Sequence, residues 1–456
     1  MKIYQNLLIV INAVNGSNFQ IEQQCPQCGA PIILDEADRI LSCKFCRTRV
    51  YLATDNIFHF YISPAQGISE TIYFIPYWRI KGFSYTIKEK EMDIEHHNEL
   101  FSYNISPAIK GFDISNKYFD INFLSLDSKL LPHSLGLRPQ AMKLKFVGSN
   151  EDAGKFLKFS PASRDISKND YQAWRDNLIN DYQTHMDGIH KEIFIGETAS
   201  VIYSPVYCAN GRVYDAILKK PLDLQTKDAE VEQILLSTPD EKWHVEFLPL
   251  LCPDCGADLP GEKDALIVFC SNCNSAWNPS TKNFTKVKYS AWQEQGDDIT
   301  YLPFWQLKVK VDGIQLESYA DLIKISNLPK APSEVWAKTP FYFCTPAFKI
   351  NPALFLRWCR QLTVAPPPQD LIADFPVKKI HPVTLPVNEA LESSLLTLSS
   401  LIADKRNLAQ LVSSLHFTLE DSSLILHPFR ASASQLVHTK LDFSMDISAL
   451  NLGAYL

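Results

Sequence analysis

Cys25-Pro26-Gln27-Cys28 is followed, fourteen residues on, by Cys43-Lys44-Phe45-Cys46. The arrangement returns as Cys252-Pro253-Asp254-Cys255 and Cys270-Ser271-Asn272-Cys273, with the same fourteen-residue spacer. Each cysteine of the first set stands 227 positions before its counterpart. A Cys-x-x-Cys turn offers two thiolates to one ion, and a second such turn completes a tetrahedron. Four sulfur ligands leave no open position for water or substrate, which marks a structural rather than a catalytic metal site.

The offset extends beyond the cysteines. Ile75-Pro76-Tyr77-Trp78-Arg79-Ile80-Lys81 is matched 227 positions on by Leu302-Pro303-Phe304-Trp305-Gln306-Leu307-Lys308. Ser106-Pro107-Ala108-Ile109-Lys110 is similar to Thr345-Pro346-Ala347-Phe348-Lys349, now 239 apart. Val201-Ile202-Tyr203-Ser204-Pro205-Val206 is similar to Leu424-Ile425-Leu426-His427-Pro428-Phe429, 223 apart. Several unlike motifs in one order and spacing are hard to produce by chance, so the expectation is one module duplicated and fused.

At 456 residues the chain exceeds what one core usually serves, and an apolar share of 46% with 21% charged residues is that of a soluble globular protein. Gly is scarce at 16 while Pro reaches 28, which favours strands with proline-punctuated connections over glycine-rich phosphate loops. The net charge of -7 falls entirely in the second half, and neither half has the basic excess of a protein that grips phosphate backbones. Eight of the eleven cysteines form the four pairs, leaving Cys208, Cys344 and Cys359 as buried free thiols. Paired turns with an odd remainder, no membrane-length apolar run, and an N-terminal Leu7-Leu8-Ile9-Val10-Ile11 too short for a secretory signal lead to the expectation of a cytoplasmic protein without a membrane segment.

Within a module the order reads as ribbon, strands, helix and closing hairpin. Leu307, Val309 and Val311 alternate with Lys308, Lys310 and Asp312, a half-buried strand; Asp312-Gly313 then offers a hairpin turn with return over 314–319. In the first copy Trp78 and Ile80 take one phase and Phe83, Tyr85 and Ile87 the other, which calls for a bulge at Gly82. Asn351-Pro352 is a strong helix start and Ser134 a weaker equivalent; longer helices are expected over about 169–191 and 388–415. Asn210-Gly211 signals the closing hairpin of the first copy, and residues 431–434 fill that place in the second. The fold class expected is α+β: two tandem modules, each a four-cysteine ribbon joined to a β-rich body with one or two helices and a closing hairpin. The boundaries read 1–20 for an N-terminal strand or leader, 21–54 for ribbon 1, 55–220 for body 1, 221–247 for a linker, 248–285 for ribbon 2 and 286–456 for body 2.

Through Cys25, Cys28, Cys43 and Cys46, and through Cys252, Cys255, Cys270 and Cys273, the chain resembles the zinc-ribbon family, over roughly 30 residues per copy. The resemblance implies a small antiparallel β unit closed by zinc and used for binding nucleic acid or protein, hence two structural Zn2+ ions. Iron in a four-sulfur site remains an alternative that spacing does not exclude; a redox dithiol and a disulfide framework fit the matched pairs less well. Ribbon 1 carries Arg39, Lys44, Arg47 and Arg49 near its second turn, either a basic contact face or a solvated one partly offset by Asp35, Glu36 and Asp38. By phase Trp78 and Trp305 belong to the core, while Tyr77 and Phe304 lie opposite and are the candidate exposed aromatics. His96-His97 beside Glu95 and Glu99 read as a solvated loop, and no phosphate loop, Gly-x-Ser-x-Gly elbow or His-Glu-x-x-His occurs. The function expected is a non-catalytic zinc-binding adaptor or assembly subunit for a protein partner, its two modules packed as an intrachain pseudo-dimer. The alternative is nucleic-acid binding through ribbon 1, and the third reading an enzyme with a cleft between modules.

Overall fold

Two long antiparallel strand pairs carry the molecule: Ile72–Lys90 with Ile189–Ala209, and Ile299–Asp312 with His416–Ser432. The structure is a computed structural model that describes residues 19–54, 57–90, 111–124, 132, 134, 143–148, 154–157, 189–225, 243, 245–279, 283–296, 298–330, 333–368, 370–374, 376, 379–404, 411–412, 414–432 and 434–453. It is a mixed α+β structure with 47% strand and 17% helix. The first pair sits in a ten-stranded sheet and the second in an eight-stranded one, and each ribbon contributes to a three-stranded sheet. No helix among the described residues is long and apolar enough to cross a membrane.

The two large sheets repeat each other's register. Val201 stands opposite Trp78, and Leu424 stands opposite Trp305. On a parallel flank Lys155 pairs with Tyr73, and Lys379 pairs with Thr300. Lys145 faces Tyr61 where Ile372 faces Ala291. In the closing hairpins Val206 meets Asp215 and Phe429 meets His438. Asn210 and Gly211 take positive φ of 50° and 74°, the backbone that a two-residue hairpin loop needs. The remaining flank differs: Thr345 of Phe343–Pro346 lies beside Trp305, but Leu124 of Gly111–Leu124 lies beside Trp78. Residues 106–110, matched in sequence to 345–349, and His96-His97 lie outside the described residues.

Helix Pro352–Val364 starts as its sequence dictates, with Asn351 Oδ1 accepting from the amides of Ala353 and Leu354 at 3.0 and 3.4 Å. It buries Phe355, Trp358, Cys359 and Leu362 against the second sheet, together with helix Val387–Leu401. The tip of the first long hairpin joins that same core through Tyr85, Ile87, Ile193 and Ile195. Polar contacts pin the junction: Gly196 N–H donates to Glu389, Lys349 Nζ to Thr198 Oγ1 at 2.8 Å, and Tyr85 Oη to the Pro352 carbonyl at 3.4 Å. Here the space between the two bodies is a cavity of only about 10 Å³, lined mainly by apolar residues such as Phe83, Ile195 and Phe355.

Several local expectations are corrected. Tyr77 and Phe304 are buried, at 0% and 1% exposure, so neither is a surface aromatic. Period-two alternation assumes one wet face, whereas both faces of these strand segments are covered: Phe74 and Tyr77 are both enclosed, as are Tyr301, Leu302, Phe304 and Trp305. For Trp78 only the backbone is described. The irregularity expected at Gly82 lies on the partner strand, where two residues between Ile195 and Thr198 face it and Gly196 takes φ +70°. Consequently Tyr77 stays in phase with Tyr85 and Ile87 and needs no flip. After Asp312-Gly313 the chain forms no return strand. A capping box between Ser318 and Asp321 starts helix Tyr319–Ser326 instead, and Tyr319, Leu322 and Ile323 supply its buried face. Residues 169–188 lie outside the described residues and 189–191 are strand, not helix. The helix expected over about 388–415 is interrupted: Val387–Leu401 ends where Ile402 leaves helical backbone and the Ala403 amide bonds to the Ile325 carbonyl, and residues 411, 412 and 414 are helical again. The segment between modules contains strands at both ends, Pro221–Gln225 and Glu246–Pro249.

Two buried polar pairs stand out. Arg79 donates to both oxygens of Glu36, at 2.7 and 3.0 Å, with both side chains at most 2% exposed, and its guanidinium lies 4.8 Å above the Phe19 ring. The matching position in the second sheet is Gln306. His427 and His438 share a 2.9 Å hydrogen bond in the second core, and His438 Nδ1 accepts the amides of Lys440 and Leu441. That fixes the proton on His438 Nε2, which therefore donates to His427 Nδ1. At the matching position the Asp215 carboxylate accepts the amides of Ile217 and Leu218 at 2.8 and 3.1 Å, so an acid and an imidazole perform one local task.

Two stability predictions arise. Glu36→Gln removes the carboxylate charge from a buried, hydrogen-bonded pair and is expected to cost about 3–5 kcal/mol in urea unfolding, whereas Glu36→Leu with Arg79→Met recovers most of it. Burial holds the pKa of His427 well below the usual value, takes that of His381 to about 4 and that of His438 to about 3. Their folded pKa values lie below the unfolded ones, so the neutral rings favour the fold above pH ~6.5 and this stability is lost between there and pH 3–4. Unfolding free energy measured against pH should fall over that window by up to about 1.4 kcal/mol per unit for each ring, and His438→Asn should reduce the slope by one proton.

Candidate metal centres

The four Cys-x-x-Cys turns fold alike because their backbones solve one problem. Each must turn the chain within two residues and aim two sulfurs at one point. In the first turn of each ribbon the amide after the second cysteine returns to the carbonyl of the first: Gly29 N to Cys25 O at 2.9 Å and Gly256 N to Cys252 O at 2.8 Å. Arg47 N to Cys43 O, at 3.0 Å, does the same in the second turn of ribbon 1. This closure requires positive φ, found at Gly29 (72°), Arg47 (62°), Gly256 (73°) and Asn274 (51°). Glycine accepts that backbone freely, and asparagine more readily than arginine.

The turns place Sγ atoms of Cys25, Cys28, Cys43 and Cys46 within 4.8 Å of one another, and likewise those of Cys252, Cys255, Cys270 and Cys273. The closest approaches are 3.6 Å for Cys25–Cys46, 3.7 Å for Cys28–Cys43, and 3.5 Å for both Cys252–Cys273 and Cys255–Cys270. A tetrahedral ion with metal–sulfur bonds of about 2.3 Å has ligand edges of about 3.8 Å, so the donor sets fit. One sulfur of each turn is buried, at Cys25, Cys43, Cys252 and Cys270, while its partner lies nearer the surface. These two groups are consistent with zinc ribbons.

The surroundings favour thiolates. The Thr48 hydroxyl, 3.2 Å from Cys46 Sγ, and the Thr48 amide take the Cys46 pKa down to about 6. At the matching position Ser275 Oγ lies 3.0 Å from Cys273 Sγ and 3.6 Å from Cys252 Sγ, held by the Trp277 indole N–H at 2.8 Å. Burial opposes ionisation of Cys252, but Ser275 and the amides of Cys255 and Asp254 bring it to about 6. Against this, Cys28 is driven up to about 12: the Ala30 amide favours its thiolate, but burial and the three neighbouring sulfurs oppose it. Cys273 reaches about 12 by the same crowding, against the help of Ser275. Four thiolates this close repel unless a cation sits among them. The donor set therefore fits a divalent ion bound for folding, with all protein positions taken.

The basic face foreseen on ribbon 1 is divided. Lys44 and Arg47 are exposed, whereas Arg49 turns toward ribbon 2 and donates to the Gly261 carbonyl at 3.0 Å. Arg39 is half-buried, its guanidinium 4.3 Å above the Phe58 ring and its amide bonded to the Lys263 carbonyl. Sequence reasoning passed over Phe45, which is 74% exposed between Lys44 and Cys46; an apolar residue inside a metal-binding turn was the available signal. Comparison with family models, curated proteins and solved structures finds no match to this chain. Cys28→Ser is expected to lower the metal content by one ion per chain, read by native mass spectrometry, and to loosen ribbon 1 while the helices of residues 352–401 stay folded. Full retention of both ions would refute the four-cysteine assignment.

Proposed function

We propose that this chain is a non-catalytic adaptor or assembly subunit, built from two copies of a zinc-ribbon module, that presents ribbon 1 to a protein partner. The observation that carries the reading is Phe45. It sits exposed at the outer end of a turn braced by two sulfur ligands, with exposed Lys44 and Arg47 on either side. Large apolar side chains held rigidly in water are typical anchors of protein contacts, and flanking cations help select an acidic surface. At the matching position ribbon 2 has Asn272, whose side chain holds the Cys255 pKa down and so favours the thiolate of that group. Phe45 has no such local duty.

Zinc is the proposed ion, on the chemistry of four closed sulfur positions. The duplicated-module reading draws support from the repeated strand registers and from the paired roles of Thr48 with Ser275 and Asp215 with His438. The two bodies would then pack as an intrachain pseudo-dimer, inheriting a contact between former subunits. Nucleic-acid binding through ribbon 1 is the weaker reading, since only two of its four basic residues face outward.

Native mass spectrometry of untagged protein isolated from its own cells tests the proposal. Two zinc ions and a protein of defined mass are expected with the wild-type chain. Phe45→Ser should keep both ions and lose the partner. Co-isolated nucleic acid that leaves at moderate salt, with no protein partner, would overturn the adaptor reading.

A further inference from the structure

The two ribbons share a sheet and an apolar cluster. Ribbon 1 makes a two-stranded sheet from Ile40–Ser42 and Arg49–Ala53, and its third strand is Glu246–Pro249, the segment that leads into ribbon 2. In the register Glu246 faces Ala53 and Pro249 faces Val50, so the strand ends three residues before the first ligand of the other site, Cys252. Ribbon 2 builds its own three strands from consecutive chain: Val268–Cys270, Ser275–Pro279 and Phe284–Val287. By register Phe58–Ile62 of the ten-stranded sheet matches Tyr289–Trp292, and the place that Phe284–Val287 fills beside Ser275–Pro279 is filled beside Arg49–Ala53 by Glu246–Pro249. The three-stranded sheet of ribbon 2 is thus complete by itself, while that of ribbon 1 is completed by the strand leading into ribbon 2.

Other contacts tighten the same junction. The amides of Arg39 and Ile40 both donate to the Lys263 carbonyl, at 2.6 and 2.8 Å, and Arg49 reaches the Gly261 carbonyl. One apolar cluster contains Ile40, Tyr51 and Ala53 of ribbon 1 with Leu259, Val268 and Trp277 of ribbon 2, and two ligands of the second site, Cys252 and Cys270, lie within it. At Gly261 a side chain would come to 2.8 Å of the Ile40 methyl, so the ribbons meet with no intervening layer.

Resting on the zinc reading above, we propose that the two metal sites are thermodynamically coupled: an ion in the second site organises the strand and core that complete the first. Site 2 fills first because its three strands come from consecutive chain, and site 1 gains affinity once it is filled. Linkage makes the coupling reciprocal, so an ion in site 1 raises the affinity of site 2 by the same factor. The ribbon pair then responds to metal as one unit rather than as two independent sites.

The experiment is a titration of the full chain with chelator-buffered zinc. Native mass spectrometry counts the ions, and hydrogen exchange follows residues 49–53 as well as 299–312. In Cys255→Ser the first site is expected to fill at tenfold or higher free zinc than in the wild type, and residues 49–53 to lose protection while 299–312 keep theirs. Cys28→Ser should shift the second site by the same factor. Phe247→Pro with Leu248→Pro retains all eight cysteines but strips the crossing strand of adjacent amides, one of which faces Arg49–Ala53; it should abolish the coupling. If site 1 fills within twofold of its wild-type midpoint in Cys255→Ser and residues 49–53 stay protected, the proposal is overturned while the zinc reading stands. A chain that binds no zinc at all would instead remove the zinc reading.

Discussion

The constraint on which the ribbon end of the molecule depends is the incompleteness of the first ribbon. The two-stranded hairpin of Ile40–Ser42 and Arg49–Ala53 leaves one edge of Arg49–Ala53 open, and open edges invite non-native pairing. The chain fills that edge with Glu246–Pro249, drawn from beyond the whole first body. Because this strand runs directly into Leu250 and Cys252, both buried in the shared cluster, closing the edge also positions the second metal site. The inward turn of Arg49 and the half-burial of Arg39 follow from the same packing. A basic face that looks continuous in sequence is divided by an interface.

At the other end of the molecule, two sheets meet through apolar contact rather than shared strands. Tyr85, Ile87, Ile193 and Ile195 reach past their own sheet into the core around helix Pro352–Val364. The bulge at Gly196 redirects the strand there, and its amide is met by Glu389. Such irregularities bend a strand and expose a backbone donor, and here both effects serve the junction.

What the sequence made legible follows from how locally each feature is determined. Four-sulfur spacing, Asn-Pro before an amphipathic run and Asn-Gly between strands each encode their geometry within a few residues, and the structure carries all three. The 227-residue offset likewise foresaw matched positions, down to the hydroxyls of Thr48 and Ser275 beside equivalent cysteines. Burial on both strand faces could not be read this way. Tyr77 and Phe304 alternate with Trp78 and Trp305 as they would on a half-wet sheet, and only the covering elements, distant in sequence, reveal that no wet face exists there. The absent return strand after Gly313 had a local signal, Ser318-x-x-Asp321, that outweighed the Asp-Gly turn. The crossing strand had none: Glu246-Phe247-Leu248-Pro249 is an ordinary short strand whose partner only the fold specifies.

Differences between matched positions are as instructive as the likenesses. Arg79 corresponds to Gln306, and the arginine has a buried carboxylate, Glu36, placed between the two Cys-x-x-Cys turns of ribbon 1. That pair adds to the strand pairing of Gln20–Gln24 with Lys143–Phe146, by which ribbon 1 joins its own large sheet, whereas ribbon 2 meets its body through the backbone of residues 266 and 383. Ribbon 1 is therefore held from two sides, by its body through strand pairing and a charge pair and by ribbon 2 through a strand. This double restraint fixes the turn on which Phe45 stands in water. A free aromatic on a loose loop would lose entropy on binding, whereas one fixed by a metal turn, an ion pair and a crossing strand has already lost it. At the matching position of ribbon 2 the Asn272 side chain instead favours the thiolate of Cys255.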